Sequence, residues 1–366
     1  MPKSDSENQQ TLEILGTILL ASQVGGNQEK FEDTLAHVRR LPTPAVENLL
    51  DRSTNQRVLR RSLEILEPYF VAARQGASQV LRSRLQTERD RSQNLLAMLD
   101  KILRSLHRKG YVVLAMKTLD HWPDTGSDVD LLASGDDHEI CAALEKDFGA
   151  VRQTQSWGDR LAHKFNFTVP GLGELVEIHI GCLGQTGEQE RLAEGVLSRR
   201  VKARFGDYTL PIPTQEDRII IATLQRMYRH YYIRLTDIVN IFGAVRRNAI
   251  NFEKLKDLAS ESSVWPGVAT LLTIVCEHGV RFGGGSVSLP PLVTAATKFV
   301  SDRTYVDRKF VRVPLMPEAA NLYMLQLAEN GRSRNIRAVA RLAILPILAT
   351  AAFVSFRFTG NDKGIW

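Results

Sequence analysis

The spacing of apolar positions changes twice along this chain. From about Thr11 to Lys109 apolar residues recur at intervals of three and four, as in Leu63, Leu66 and Phe70 and again in Leu95, Leu99, Ile102, Leu103 and Leu106, which predicts amphipathic helices with Gly110 as the last C-cap. At Tyr111 the period shortens. Tyr111 to Met116, Val129 to Ala133, His163 to Val169 and Glu174 to Ile180 read as strands, with Pro170 to Gly173 a tight turn between the last two. Between the second and third lies a helix, Asp136 to Phe148, whose Asp136 and Glu139 have capping-box spacing. From Thr214, with Asp217 three residues on, the pattern is largely helical to the end. The first ten residues are polar and aperiodic and read as a disordered tail. The pattern predicts a mostly helical α+β protein: a tail over 1–10, a helical N-terminal region over 11–109, a small mixed-sheet α/β core over 110–213, and a helical C-terminal domain over 214–366.

With 366 residues, 43% of them hydrophobic, the chain can bury a large core, which excludes fibrous and disordered classes. A formal charge of +6 suits a polyanionic ligand such as a nucleotide or nucleic acid, but spread over this length it does not make a DNA-binding protein. Cys141, Cys182 and Cys276 show neither disulfide nor zinc-ligand spacing, which points to a reducing cytoplasm. The apolar run from Leu12 to Val24 contains Glu13 and follows Asp5 and Glu7, so it reads as a core helix and not a secretory signal. Leu342 to Phe356 is uncharged between flanking arginines, yet it falls short of the ~20 residues of a membrane span and contains Pro346. It predicts a buried or surface-lying helix. Gly283 to Ser286 lacks the lysine of a phosphate loop and reads as a flexible connection.

Candidate chemistry lies in TGSDVDLLA, Thr125 to Ala133. Alternate residues of a strand share a face, so Asp128 and Asp130 point the same way while Val129, Leu131 and Leu132 can pack inward. Aspartate is a poor strand former, and two neighbouring carboxylates stay ionised together only beside a cation, commonly a divalent metal. In ELVEIHIG, Glu174 to Gly181, Glu177 and His179 share one face. An antiparallel neighbour is expected to bring Glu177 to the Asp pair. Three converging carboxylates suit phosphoryl or nucleotidyl transfer, in which two metals roughly 4 Å apart orient a triphosphate and the third acid takes a proton or the second metal. His179 reads as a core or sheet-face histidine satisfied by hydrogen bonds sooner than as a ligand or base, though its place beside Glu177 keeps it a candidate, and His121, Trp122 and Asp124 read as an ordinary loop. Arg226, His230 and Arg234 recur every four residues, hence on one helix face, either phosphate-binding or solvated, if the turn near Tyr231 does not break the helix. Asp237 would pair with a neighbour such as Arg234.

In order, LAMKTLDHWPDTGSDVDLLAS, VEIHIG and LPIPTQEDRIIIATLQRMYRHYYIRLTDIVNI resemble the nucleotidyltransferase superfamily typified by polymerase beta. The closest likeness is to a bacterial branch known only as uncharacterised nucleotidyltransferases, and it spans roughly 95–272. The resemblance implies that Asp128 and Asp130 are the metal-binding pair and Glu177 the third acid. It further implies Mg²⁺ or Mn²⁺, and an NTP such as ATP as the source of the transferred group. The acceptor, whether small molecule, glycan, protein or RNA, is not legible. Lys117 would face the phosphates, a role that competes evenly with a structural salt bridge to the carboxylates, with Thr118 where the branch has a glycine. The superfamily's Gly-Ser lies about a dozen residues before the acids, whereas here Gly126 and Ser127 immediately precede them, leaving Ser127 a supporting hydrogen bond. Arg226 and His230 complete the candidate nucleotide contacts. A glycosyltransferase also uses Asp-x-Asp, but after a long βαβ half that this chain lacks. A degenerate transferase core serving as a helical interaction module is the non-enzymatic alternative.

Overall fold

Five helices precede the first strand: α1 (Lys3–Val24), α2 (Gln28–Arg39), α3 (Thr43–Asn55), α4 (Leu59–Ala72) and α5 (Ser78–Arg108). They belong to a computed structural model that describes residues 3–72, 77–307 and 309–359. Helix α1 starts at Lys3, inside the stretch expected to be a tail. Its polar first turns continue the helix whose later residues Leu15, Ile18 and Leu19 are fully buried, so the docked half carries the rest.

The sheet is built from β1 (Val112–Met116), β2 (Asp128–Ser134), β3 (Val151–Arg152), β4 (Lys164–Thr168) and β5 (Leu175–Ile180), in the order β1-β2-β5-β4-β3. Helix α6 (Asp137–Phe148) follows β2, its N-terminus capped by the Asp136 carboxylate, which accepts from the Glu139 N–H, and its end closed by Gly149 at φ 61°. The short α7 (Trp157–Leu161) precedes β4. Strand β5 pairs with β2 in parallel, not antiparallel as expected, and with β4 antiparallel. The α6–β4 connection carries the chain across the sheet so that β5 re-enters beside β2 in the same direction. Asp130 stands opposite Glu177 all the same, because a residue's face depends on its place in the alternation and not on strand direction.

One sheet face, with Val113, Val129, Leu131, Val176, Ile178 and Phe167, packs on α6 and on the second half of α5. The opposite face carries the acids, and its Leu114, Met116 and Leu132 join a larger core shared by the N-terminal helices and those after the sheet. Helix α8 (Glu190–Ser198) contributes Leu192, Ala193 and Val196 to that core. A hairpin absent from the sequence expectations, β6 (Val201–Phe205) and β7 (Tyr208–Ile212), follows.

Helix α9 (Gln215–Met227) is capped by Thr214, whose hydroxyl accepts from the Asp217 N–H. It ends well before Arg234, and Tyr231 at φ 54° turns the chain into β8 (Tyr232–Ile233), so Arg226, His230 and Arg234 do not share a helix face. Helices α10 (Leu235–Arg246), α11 (Phe252–Glu261), α12 (Trp265–Arg281) and α13 (Pro291–Ala296) come next, then β9 (Tyr305–Asp307) and β10 (Phe310–Arg312). The last two form a three-stranded sheet with β8, an interruption of the helical end that its short, charged strands conceal. Helices α14 (Ala320–Arg332) and α15 (Ile336–Thr359) complete the chain. The apolar run at 342–356 lies in α15, with Leu342 buried and Ile347 exposed, while the side chains from 351 lie outside the described residues. Among the described residues no helix is long and apolar enough to cross a membrane.

Candidate active site

Alternation along β2 and β5 puts Asp128, Asp130, Glu177 and His179 on the face turned to the helical body, and β4 adds Lys164, whose register partner is His179. Asp130, Glu177 and His179 converge most tightly: each offers a donor atom, and these atoms lie within 4.8 Å of one another. His179 Nε2 is 3.8 Å from Asp130 Oδ1 and 4.0 Å from Glu177 Oε2. Asp128 is one strand step away and less buried.

Two lysines face these acids. Lys117 Nζ donates to Asp130 Oδ1. Lys164 Nζ lies 3.2 Å from Glu177 Oε2 and 2.9 Å from Asp159 Oδ1. Burial raises the Asp130 pKa to about 6; the Lys117 ammonium opposes that rise, and the charges of Glu177 and Asp128 add to it. Burial works against the charge of Lys164, but Glu177 and the hydrogen bond to Asp159 outweigh it, so its pKa is raised. Burial pushes His179 well below the ordinary histidine range, helped by Lys117, Lys164 and Arg229, so its ring is neutral.

The remaining expected residues divide. Lys117 sits at the end of β1 with φ 59°, a left-handed backbone that aims its side chain back at the acids. Thr118 does not open the backbone as a glycine would. Its hydroxyl accepts from the Asp130 N–H at 2.8 Å and donates to the Asp128 carbonyl at 3.3 Å, tying the loop to β2. Ser127 donates to Asp128 Oδ1 and accepts from Arg57 Nη2 at 2.8 Å. Arg226 is committed to Asp237, with Nε 2.6 Å from Oδ2 and Nη2 donating to Oδ1 at 3.2 Å. Asp237 thus pairs with Arg226, and from Arg234 it receives only the backbone N–H, at 2.8 Å. His230 is held neutral, its pKa lowered to about 2 by burial and then by Arg229 and Arg226. Its ring lies 5.6 Å from that of Tyr232. Neither Arg226 nor His230 reaches the acids. His179, expected to be satisfied, has no hydrogen-bond partner at either nitrogen.

Sequence reasoning missed Lys164, Asp159 and Arg229. The alternation of KFNFT, with Phe165 and Phe167 inward, held the signal for Lys164. Arg229 was hidden by its position between the periodic Arg226 and His230. Half-buried and without an ion-pair partner among the described residues, it lines a cleft that runs from Lys117 and His179 past Leu183, Gln185 and Tyr228 to Tyr323 and Gln326 of α14. Asp124, expected in an ordinary loop, is instead buried against Arg61 at 2.6 Å.

A small mixed sheet thus presents Asp128, Asp130 and Glu177 to a flanking helical body. A sequence profile of the uncharacterised nucleotidyltransferase family matches residues 45–277, and the chain belongs to that family. A solved structure of a tRNA nucleotidyltransferase complexed with a primer tRNA and an incoming ATP analog is similar over 72% of this chain and 72% of its own, at 12% identity and a TM-score of 0.23. The family assignment rests on the profile alone. No curated protein matches the chain.

Proposed function

We propose that this protein moves a nucleotidyl group from a nucleoside triphosphate to an acceptor hydroxyl or phosphate, with Asp128, Asp130 and Glu177 holding Mg²⁺ or Mn²⁺. The observation that carries this reading is the pairing of Asp130 with Glu177 on adjacent strands, both beside a buried imidazole with unmade bonds. Acids that close remain ionised only beside positive charge, and the donor set of carboxylates and imidazole suits a divalent cation. A bound metal would supply Lewis-acid stabilisation of charge on the transferred phosphoryl group.

The chain's own residues account for the rest. Lys117, now on Asp130, has the reach to exchange that carboxylate for a phosphate oxygen. Glu177 accepts the proton of an attacking hydroxyl, and Lys164 orients its carboxylate. Ser127 and Arg57 hold Asp128, while Thr118 fixes the loop that carries Lys117. The cleft beyond His179, with Arg229 and Gln326 on its walls, receives the acceptor. In this reading the catalytic unit is 110–213, closed by the helical regions 11–109 and 214–366.

A second reading, a core that has lost catalysis and serves as an interaction module, draws on the lysines occupying the acid face. Purified protein incubated with each of the four α-³²P-labelled NTPs, Mg²⁺ or Mn²⁺ and a cell extract separates the two. Metal-dependent labelling of an extract component, lost in Asp130→Asn, is the expected result. Absence of labelling together with equal metal–ATP binding by wild type and Asp130→Asn overturns it.

A further inference from the structure

His179 is 3% exposed and both its ring nitrogens lack a hydrogen-bond partner. A buried polar group left in that state is costly, and an apolar side chain would fill the position more cheaply unless the nitrogen had a use. His278 on α12 (Trp265–Arg281), also buried, leaves only Nδ1 without a partner, since its Nε2 meets the Thr304 hydroxyl at 3.3 Å. What surrounds His179 Nε2 is Asp130 Oδ1 at 3.8 Å and Glu177 Oε2 at 4.0 Å.

Those separations suit a shared ion. Two ligands bound at ~2.1 Å lie roughly 3 to 3.5 Å apart at octahedral or tetrahedral angles, so closure onto one cation needs movements of under about 1 Å. Lys117 Nζ, bonded to Asp130 Oδ1, stands where positive charge is required. We propose that His179 is a direct ligand of the metal centre, completing an N,O,O set with Asp130 and Glu177, and that the site therefore prefers Mn²⁺ and other imidazole-binding divalent cations to Mg²⁺. Magnesium takes oxygen ligands almost exclusively, whereas a neutral imidazole binds transition metals readily, so one nitrogen in the set shifts the balance. The inference rests on the reading above only in seating a divalent ion at these acids.

Mn²⁺ alone, titrated into the full-length protein without nucleotide so that no base nitrogen contributes, supplies the test. Pulsed EPR of the bound ion is expected to show ¹⁴N coupling from a coordinated imidazole. In His179→Gln the coupling disappears, and the preference for Mn²⁺ over Mg²⁺, measured by competition, falls at least about tenfold. Bound Mn²⁺ without ¹⁴N coupling in the wild type overturns the proposal whether or not the variant folds, as does an unchanged preference in a folded variant. Either result leaves nucleotidyl transfer standing if extract labelling persists. Failure to bind either ion, with or without ATP, removes both readings.

Discussion

Arg61 and Asp124 are buried as deeply as Asp130 and His179, yet the two groups differ in how many of their bonds are made. Arg61 donates through Nε to Asp124 at 2.6 Å, through Nη1 to Asn240 at 2.8 Å and through Nη2 to Thr236 at 2.7 Å, and the second Asp124 oxygen accepts from the Arg60 N–H at 2.6 Å. That network clamps α4, the loop before β2 and α10 with the partners satisfied. On the acid face, Asp130 has one lysine against two neighbouring acids and His179 has nothing. A buried charge with a full complement of partners is explained by the fold it holds. One with bonds left over points to a partner from outside the chain.

If this contrast is right, Arg61→Ala should cost about 3 to 5 kcal/mol of stability, since it strands Asp124 in the core, and urea unfolding would show it. Asp130→Asn should behave in the opposite manner. Nucleotidyl transfer to the extract should drop by about a hundredfold or more, with a smaller change in unfolding free energy than the Arg61 variant shows. His278, away from the acid face, gauges what burial and a neighbouring arginine do to a histidine. Burial, then Arg281, lowers its pKa to about 4, so the folded protein resists a proton that the unfolded chain accepts near the ordinary value of 6.5. Stability is therefore full above that ordinary value and declines as pH falls toward the lowered one. The contribution is of order 3 kcal/mol, and the decline should be shallower in His278→Gln. The smallest effect is expected of Lys117→Met: KM for the NTP up about tenfold with kcat changed less, because Lys117 meets the phosphates and not the reacting oxygen.

Much of the acid face was legible because a two-residue period fixes which side chains share a side. Asp128 with Asp130, and Glu177 with His179, were assigned to their faces before any neighbour was known. The direction of pairing was not legible, since the same alternation serves parallel and antiparallel partners and only the route of the α6–β4 connection decides between them. Arg61 and Asp124 are 63 positions apart, beyond any local pattern. The end of α9 lacks the glycine or proline that marks a stop, so the four-residue recurrence of Arg226, His230 and Arg234 left open whether a turn near Tyr231 breaks the helix, as it does. The β6–β7 hairpin was obscured by the charged, exposed β6 and by Pro211 in β7, although Gly206 and Asp207 between the strands are a two-residue hairpin signal.

Helix α5 belongs to two cores at once. Leu81 and Leu85 join the helical body, while Leu95, Leu96, Leu99, Ile102, Leu103 and Leu106 line the back of the sheet. At 31 residues it is a rod of about 45 Å. A protein shortened to begin at residue 110 would lose the back wall of its own sheet and present bare leucine-facing strands to water. The place where the apolar period switches from helix to strand is thus a change of grammar and not a place to cut, and any tilt of the helical body is levered through this rod into the strands that carry the acids.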